Sequence, residues 1–360
     1  MRQTKIPCVI MRGGSSRGPY FLASDLPADP ALRDAVLLAA MGSPHPLQVD
    51  GIGGANTLTS KVAIVSPSAE PGVDVEYLFA QVDVGRALVD TSPNCGNMLA
   101  GVGPFALEAG LVPAAGEETL VRIRNRNTGA LVEALVQTPG GVVTYDGEAE
   151  IPGVNGTAAP IQLRFREVAG AKTGKLFPTG KRTELIGGVE VSLVDCAMPM
   201  MILRAADIGT SADASPADID GDLALLARIE AMRLEAGRRM GLGDVRDSVV
   251  PKVGLVGPTT QADFAVRYLT PHAVHKALAV TGAICLAAAS KVPGTVVPPS
   301  AGDVVLIRHP GGVIEVPLAM NGAEDVAWAG MLRTARRIME GAMLIPGRIW
   351  AGHALRVAAE

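Results

Sequence analysis

The chain has few aromatic residues, few cysteines and no excess of either charge. Of its 360 residues 3% are aromatic and four are cysteine, while 32 basic side chains nearly balance 36 acidic ones. The formal net charge of -4 is spread without long blocks of one sign, so neither a basic face for nucleic acid nor a polybasic membrane anchor is predicted. We therefore expect a small molecule as the partner, not nucleic acid or a membrane.

The four cysteines, Cys8, Cys95, Cys196 and Cys285, lie far apart and lack CxxC spacing. This spacing predicts neither a disulfide framework nor a zinc site. No apolar run is long enough to span a bilayer without a glycine, proline or charge, and the N-terminus lacks the apolar stretch of a signal peptide. The sequence thus predicts a protein of a reducing cytoplasm that needs no metal.

Glycine and proline are abundant instead, with 42 and 26 residues, and 48% of the chain is hydrophobic. This composition is typical of a turn-rich globular protein with an aliphatic core. Short strand patterns dominate, and one long helix per half predicts an α+β fold. The predicted strands are 7–11, 62–65, 76–84, 120–125, 131–136, 142–145, 161–165, 189–194 and 201–203. The predicted helices are 31–41, 98–109, 222–240, 283–289 and 326–340.

The two halves of the chain share a faint repeat. Residues 94–100 and 280–286 each place a small polar residue and a glycine before an apolar helix. Two such helix N-termini would offer free N–H groups to an anionic substrate, and chance similarity in a Gly/Ala-rich sequence is the alternative. We predict domains at 1–184 and 185–360, with the last strand able to return to the first domain.

The segment 11–21 combines three glycines, two serine hydroxyl groups and two guanidinium groups after a predicted strand. Glycine N–H groups can approach an anion closely, Ser15 and Ser16 add donors, and an arginine such as Arg17 can bind a carboxylate with two hydrogen bonds. An ordinary glycine-rich β-turn with solvated arginines explains this composition equally well.

A second glycine-rich loop delivers Lys61 onto the apolar strand predicted at 62–65. We expect Lys61 to be partly withdrawn from water, which would favour its neutral amine and let it act as a base. The alternative is a lysine that only extends its ammonium group to solvent from a strand end. The spacing is not that of a Walker A phosphate loop.

The segment 94–97 places Cys95 at the start of a predicted helix. The helix dipole and free N–H groups there stabilise a thiolate, so Cys95 could exchange protons near neutral pH. Its two asparagine neighbours favour this role over that of an inert thiol. Cys8 and Cys285 are predicted to be buried and inert.

Arg267, His272 and His275 precede the second predicted helix start. Arg267 and His272 are candidates for binding a carboxylate. A metal site at His272 and His275 is the weaker alternative, because their spacing is not that of a helical metal pair and no carboxylate cluster is near in sequence.

Seven motifs together resemble the PrpF family of isomerases, and most closely its 4-oxalomesaconate tautomerases. They are Arg-Gly-Gly-Ser-Ser-Arg-Gly at 12–18, Asp-Gly-Ile-Gly-Gly at 50–54, Thr-Ser-Lys-Val-Ala at 59–63, Asn-Cys-Gly-Asn at 94–97, Met-Pro at 198–199, Gly-Leu-Gly-Asp-Val at 241–245 and Pro-His at 271–272. The resemblance runs over nearly the whole chain. It implies a diaminopimelate epimerase-like fold, with two pseudo-repeated α+β domains that each wrap a sheet around a central helix, and no cofactor. A homodimer is common for this fold, and the sequence leaves the assembly open.

The resemblance also implies the site residues. The acid/base pair of the family, a lysine after Thr-Ser and a cysteine in Asn-Cys-Gly-Asn, falls on Lys61 and Cys95. Thr281 stands where the epimerases carry a second catalytic cysteine, which argues against racemisation by two thiols. The substrate carboxylates are expected to contact Ser16, Arg17, Ser60, Asn94, Gly96, Asn97, Arg267 and His272.

The implied reaction is a 1,3-proton transfer on an unsaturated tricarboxylate, with 4-oxalomesaconate as the first candidate. Departures from the tautomerase pattern, such as Ser15-Ser16-Arg17 for Thr-Ser-Lys and Asp195-Cys196-Ala197 for Asp-Asn-Gly, leave the substrate open. Isomerisation of 2-methylaconitate, aconitate or methylitaconate uses the same chemistry. A non-catalytic polycarboxylate-binding partner of an aconitase-like enzyme is the alternative from another class.

Overall fold

The computed structural model describes residues 3–270 and 272–352. The chain forms two compact units, Met1–Leu163 with Leu332–Glu360, and Arg164–Met331. The helices are α1 (Pro30–Met41), α2 (Gly96–Leu99), α3 (Val102–Glu108), α4 (Pro216–Gly221), α5 (Leu223–Arg239) and α6 (Val280–Lys291). Within the described residues, none of them is long and apolar enough to cross a membrane. The strands are β1 (Gln3–Gly13), β2 (Ser16–Leu22), β3 (Lys61–Pro67), β4 (Val75–Val82), β5 (Val89–Asp90), β6 (Glu118–Asn125), β7 (Leu131–Gln137), β8 (Ile161–Phe165), β9 (Glu184–Ile186), β10 (Val189–Cys196), β11 (Met198–Arg204), β12 (Lys252–Gly257), β13 (Phe264–Leu269), β14 (Val304–His309), β15 (Gly312–Met320), β16 (Val326–Arg333) and β17 (Ala335–Pro346).

The first unit is a mixed sheet with helices on both faces. Strand β1 pairs antiparallel with β2 and β17, β2 runs parallel to β3, and β3 pairs antiparallel with β4. The sheet continues from β4 through β5 and β6 to β7. Helix α1 covers one face, where Val36 and Leu37 pack in one core with Phe21 and Ile64. Helices α2 and α3 lie against the other face, so the sheet wraps around them.

Helix α1 begins and ends at local sequence signals. The Asp29 carboxylate caps it by accepting a hydrogen bond from the Leu32 amide at 2.8 Å, and Pro30 lies in the first turn, where its missing N–H costs nothing. Gly42 ends the helix in a left-handed conformation with φ 72°, which glycine adopts without steric strain. These signals are local, and the predicted helix at 31–41 is confirmed.

The helix predicted at 98–109 is present but interrupted. It consists of α2 and α3, joined at Ala100 and Gly101. Pro104 explains the interruption, because proline has no N–H to donate to the Ala100 carbonyl and its ring would clash with that carbonyl in a continuous helix. Proline is tolerated in a first turn, so the chain restarts as α3 just before Pro104.

The second unit wraps its sheet around α6. The residues from Gly282 to Ser290 are all buried, and a helix that is buried on every side must be surrounded by other elements. Helix α6 lies against β10, β11, β14 and β15. Helix α5 belongs to a separate core, in which Ile229 and Met232 pack with Val191 and Leu255.

In each unit a tyrosine packs against a glycine, although the predicted repeat aligns Gly96, and not Gly101, with Gly282. In the first unit a Cβ on Gly101 would lie 2.4 Å from the Tyr20 Oη. In the second a Cβ on Gly282 would lie 2.7 Å from the Tyr268 Cε2. Each unit therefore packs a strand tyrosine against a glycine of its inner helix, where any larger residue would clash.

The boundary between the units lies after Leu163, earlier than the predicted boundary after residue 184. The intervening residues attach to the second unit through Asp195 of β10. Its Oδ2 accepts hydrogen bonds from the amides of Lys172 and Thr173 at 2.8 and 2.7 Å. Strand β17 belongs to the first unit, where it pairs with β1.

Two predicted elements are wrong. Residues 326–340 form β16 and part of β17 instead of a helix. The pairing of β16 with β15, and of nearly all of β17 with β1, outweighs a helix-like spacing of apolar residues. Residues 142–145 form no strand, although the Thr144 N–H donates to the carbonyl of Gln137 at the end of β7. The predicted strands also omitted β2, β5, β9 and β12 to β15.

Replacing Ala197 with glycine is expected to stabilise the protein. Ala197 forms the turn between β10 and β11 with φ 59°, a left-handed conformation in which a Cβ costs about 1 kcal/mol. The variant should raise the free energy of unfolding by about 0.5 kcal/mol in urea denaturation. This is less than the strain relieved, because glycine also gains freedom in the unfolded chain, which favours unfolding. Ala301→Gly, in an exposed loop without a positive φ, is the control. If Ala197→Gly and Ala301→Gly destabilise the protein equally, the backbone at Ala197 is not strained.

Candidate active site

Lys61 begins β3, and its side chain lies on the sheet face that holds α2. Side chains alternate between faces along a strand, so Lys61 shares its face with Ala63 and with Tyr20, the partner of Ala63 on β2. The Lys61 Nζ donates to the Gln81 Oε1 at 2.7 Å and lies 5.0 Å from the centre of the Phe79 ring. Two side chains of β4 therefore hold this half-buried lysine.

Gln81 is oriented by contacts of its own. Its Nε2 donates to the carbonyls of Ser60 and Thr57 at 2.8 and 3.2 Å. Because these acceptors occupy the amide nitrogen, the amide oxygen faces the Lys61 ammonium group. Gln81 is not among the residues predicted from sequence, because its partnership with Lys61 depends on the pairing of β3 with β4.

Cys95 is the half-buried cysteine immediately before α2. Its carbonyl accepts a hydrogen bond from the Tyr77 hydroxyl at 3.4 Å. Burial first, and then the proximity of Cys95, raise the pKa of both Tyr77 and Tyr20. Both phenols therefore stay protonated, and Cys95 lies beside two neutral hydroxyl groups of the sheet.

The other three cysteines are buried. Burial raises the pKa of the thiols of Cys8, Cys196 and Cys285. A protonated, buried thiol is a poor nucleophile, which agrees with the expectation for Cys8 and Cys285. Of the four cysteines, Cys95 is the one that is not buried.

The hairpin between β1 and β2 packs against the start of α2. Gly14 and Ser15 form its two-residue turn. Gly14 has φ 52°, and a Cβ on it would lie 2.3 Å from the Asn97 Oδ1, so both conformation and space demand glycine. The Asn97 Nδ2 donates to the Ser15 Oγ at 3.1 Å, which ties the hairpin to α2.

Two features near this hairpin are available to a ligand. Within the part of the chain that the structure describes, the Ser16 Oγ is buried without a hydrogen-bond partner, a costly state unless a ligand or water pairs with it. A Cβ on Gly96 would meet no atom within 4 Å, so there is space beside the first residue of α2. Asn94 is exposed, and its Oδ1 accepts from the Asn125 Nδ2 at 2.6 Å. The hairpin and the start of α2 together carry Ser16, Asn94, Cys95, Gly96 and Asn97.

Tyr77 and Asn125 are likewise absent from the site residues predicted from sequence. They are partners in the pairing of β4 with β6, and each contacts the segment 94–95. In the sequence, Tyr77 has the pattern of a core aromatic and Asn125 that of a residue before a turn. No sequence signal distinguishes them, because their role depends on a pairing of distant strands.

Arg17 and Ser60 lie on the opposite face of the sheet, because each is adjacent in sequence to a position on the α2 face. Ser60 is fully buried; its Oγ donates to the Val82 carbonyl at 2.8 Å and accepts from the Gln48 Nε2 at 2.7 Å. Arg17 is paired with Arg12 of β1. That these two side chains bind the substrate stays a prediction.

Arg267 and His272 belong to the second unit. Arg267 is 4% exposed on β13, and its guanidinium donates to two main-chain carbonyls, one of them that of Ala214. Its hydrogen bonds thus support the core of its own unit. His272 is exposed, with its Nδ1 3.8 Å from the Glu230 Oε2. Pro271, which shares its motif, lies outside the described residues.

The alternative of a metal site at His272 and His275 gains no support. The His275 Nδ1 accepts a hydrogen bond from the Ala277 amide at 3.0 Å, and its ring lies edge-on to Tyr268. Across 3–270 and 272–352, no group of three or more His, Cys, Asp or Glu side chains is arranged to hold a metal ion.

Comparison with known proteins identifies the class. Residues 3–346 match the PrpF protein family. A (4E)-oxalomesaconate Delta-isomerase of Novosphingobium sp. is 49% identical over 94% of this chain and 97% of its own length. A 4-oxalomesaconate tautomerase of Pseudomonas putida is 46% identical over 98% and 99%. The crystal structure of a methylitaconate-delta-isomerase matches with a TM-score of 0.91 and 38% identity, covering 99% of both chains.

The protein is therefore an isomerase with the predicted α+β, diaminopimelate epimerase-like fold. The chain belongs to the PrpF family, as its motifs indicated.

Proposed function

We propose that this isomerase catalyses a 1,3-proton transfer on an unsaturated tricarboxylate, with Lys61 and Cys95 as its acid/base pair and 4-oxalomesaconate as its substrate. One observation carries the proposal: both residues contact side chains on the same face of β4. Lys61 is held by Gln81 and Phe79, and the Cys95 carbonyl by Tyr77. A base and an acid on one surface can serve the two ends of a three-carbon unit.

The chemistry requires a proton to leave a carbon beside a keto or carboxyl group. Lys61 as a neutral amine, or Cys95 as a thiolate, would accept that proton and leave a delocalised enolate. The other group, in its protonated form, would return a proton at the far carbon. The unpaired Ser16 hydroxyl and the N–H groups of Gly96 and Asn97 are suited to stabilise the developing negative charge, and Asn94 to hold a carboxylate.

The choice of substrate rests on similarity. The two relatives named for oxalomesaconate are 49% and 46% identical to this chain, against 38% for the methylitaconate-delta-isomerase of known structure. The second candidate is accordingly isomerisation of methylitaconate. Both reactions move a proton from one end of a three-carbon unit to the other and shift the double bond in the opposite sense, so the same acid/base pair serves either.

Proton NMR in deuterated water tests the proposal. The protein is incubated with 4-oxalomesaconate, methylitaconate, 2-methylaconitate and cis- and trans-aconitate. We expect rapid conversion of 4-oxalomesaconate with deuterium at the carbon that gains the proton. Faster conversion of another acid would make that acid the substrate instead of 4-oxalomesaconate and would still support the proposed proton transfer. If folded protein exchanges deuterium into none of them, the proposed substrate class is wrong, and binding without turnover would indicate the polycarboxylate-binding alternative.

Replacing Gln81 with glutamate should shift the pH dependence of the reaction. A carboxylate in place of the amide that now accepts from Lys61 at 2.7 Å would stabilise the ammonium form by charge attraction. If Lys61 removes the proton, its neutral form would then appear only at higher pH. The rising limb of kcat/KM against pH should move upward by about one pH unit.

Gln81→Met is the matched control for this shift. It removes the same hydrogen bond without adding charge, so it should lower kcat without moving the rising limb upward. An unmoved limb in folded Gln81→Glu protein would mean that Lys61 is not the base, which would assign that role to Cys95.

A further inference from the structure

Strand β4 has a gap along one edge. Its other edge pairs with β3 from Val75 to Gln81. On the gapped edge, β6 pairs with residues 75–77 and β5 with residues 81–82. Phe79 lies in the gap, where no strand partners its N–H and carbonyl groups. Unpaired backbone groups inside a fold are costly, so another group must satisfy them.

The side chain of Asn127 fills this gap. Its Oδ1 accepts a hydrogen bond from the Phe79 N–H at 2.8 Å, and its Nδ2 donates to the Phe79 carbonyl at 2.8 Å. The amide thus pairs with Phe79 as a neighbouring strand would. The same Nδ2 also donates to the Thr91 carbonyl at 2.7 Å. Both amide hydrogens and the amide oxygen are used.

Thr91 begins the loop that leads to Cys95. The far end of this loop is held by Asn125, which itself contacts Asn127 in the turn between β6 and β7. The Asn127 N–H donates to the Asn125 Oδ1 at 2.9 Å, and the Asn125 Nδ2 donates to the Asn94 Oδ1 at 2.6 Å. Asn125 is fully buried. The loop therefore has one attachment at its start and one immediately before Cys95, and both lead to Asn127.

The loop has little other support. Residues 92–94 are exposed, and the hydrogen bonds of Ser92 run to Asp90, which precedes the loop itself. An exposed segment with few contacts opens locally at low cost in free energy. Besides the Tyr77 hydroxyl, which donates to the Cys95 carbonyl at 3.4 Å, the side-chain amides of Asn127 and Asn125 hold Cys95 relative to β4.

We propose that Asn127 is a positioning residue of the isomerase, whose amide fastens the loop that carries Cys95 to β4 and so sets Cys95 relative to Lys61. The inference rests on the proposed roles of Lys61 and Cys95. Lys61 is held by the Gln81 and Phe79 side chains of β4, and Asn127 binds the backbone of Phe79 itself. Strand β4 therefore positions both Lys61 and Cys95, and loss of the Asn127 amide would displace Cys95.

The effect on turnover follows from this geometry. A displacement of about 1 Å in a reacting group can cost about 100-fold in rate. We expect Asn127→Ala to lower kcat by at least about tenfold while KM changes by less than about threefold, because the substrate contacts at Ser16 and Gly96 remain. Asn127→Asp keeps an acceptor for the Phe79 N–H and loses both donors. It should resemble Asn127→Ala, since the donors reach Thr91.

Thiol reactivity gives a readout that is independent of turnover. The full chain, without substrate, is treated with iodoacetamide, and alkylation of Cys95 is followed by mass spectrometry. Release of the loop should raise the rate at Cys95 by about threefold or more in Asn127→Ala. Asn94→Ala removes an exposed link of the same chain without touching the core, so it should also raise the rate. The Asn94→Ala variant therefore tests the proposal even if Asn127→Ala does not fold.

Asn321→Ala is the matched control. Asn321 also uses its side chain in a turn, where the Nδ2 donates to Asp325, but it lies in the second unit. Its loss should leave both kcat and Cys95 alkylation unchanged. An alkylation rate equal to wild type in a folded Asn127→Ala or Asn94→Ala protein overturns the proposal, whatever the activity. If the wild type turns over none of the acids, the proposed function fails, and the alkylation comparison still decides the role of Asn127.

Discussion

Replacing Lys61 with methionine is expected to reduce kcat on the order of 10³-fold, the usual cost of losing a general acid or base. Methionine keeps the length and the apolar contact with Phe79 but can neither take up nor release a proton. Since Lys61 is only half-buried at the start of β3, the fold should remain intact. The measurement is deuterium incorporation into the substrate by proton NMR, with circular dichroism to verify folding.

Lys5→Met is the control for this change. Lys5 lies exposed on β1 of the same unit. Its replacement by methionine makes the same chemical change at a position away from α2. It should keep the activity of the wild type. If folded Lys61→Met protein exchanges deuterium within about tenfold of the wild-type rate, Lys61 is not a proton-transfer group.

Replacing Cys95 with serine is expected to lower kcat by a similar factor, on the order of 10³-fold. The two side chains have nearly the same shape, but a hydroxyl group releases its proton far less readily than a thiol. The structural contact of Cys95 is made by its carbonyl with Tyr77, and serine preserves it. A fall in kcat with little change in KM would therefore report lost proton transfer and not lost binding.

Alkylation of the wild type provides a second test of Cys95. Iodoacetamide should inactivate the enzyme with a single label, because the other three thiols are buried and their pKa is raised by burial. Cys95→Ser should remain unlabelled, and Cys8→Ala should still be labelled and inactivated. Inactivation that follows labelling of Cys8, Cys196 or Cys285 would remove Cys95 from the mechanism.

The parts of the fold that were predicted from sequence depend on local signals. Helix α1 has its Asp29 cap, its Pro30 and its Gly42 within a few positions of its ends, and such interactions are visible along the chain. The helix predicted at 326–340 is wrong for the opposite reason. The apolar spacing of this segment is compatible with a helix. The pairing of β16 with β15, and of β17 with β1 more than 300 residues earlier, makes it two strands.

The candidate site divides in the same way. The motifs located Lys61, Cys95 and the residues around Cys95 because each is a short, continuous stretch. They also proposed Arg17 and Ser60, which the strand alternation turns to the other face of the sheet. Gln81 was missed, since nothing near it in sequence indicates that it pairs with Lys61.

The sequence by itself determined the family, the α+β class, the identity of the acid/base candidates and the places where glycine or proline constrains the backbone. Only the tertiary structure decided which side chains share a face, which strands are neighbours and which polar groups hold the candidate pair in place. The physical reason is that capping, turn conformation and thiol chemistry act within a few residues. Strand register and the alternation of faces are instead set by contacts between segments far apart in the chain, and a shift of one residue reverses every side chain.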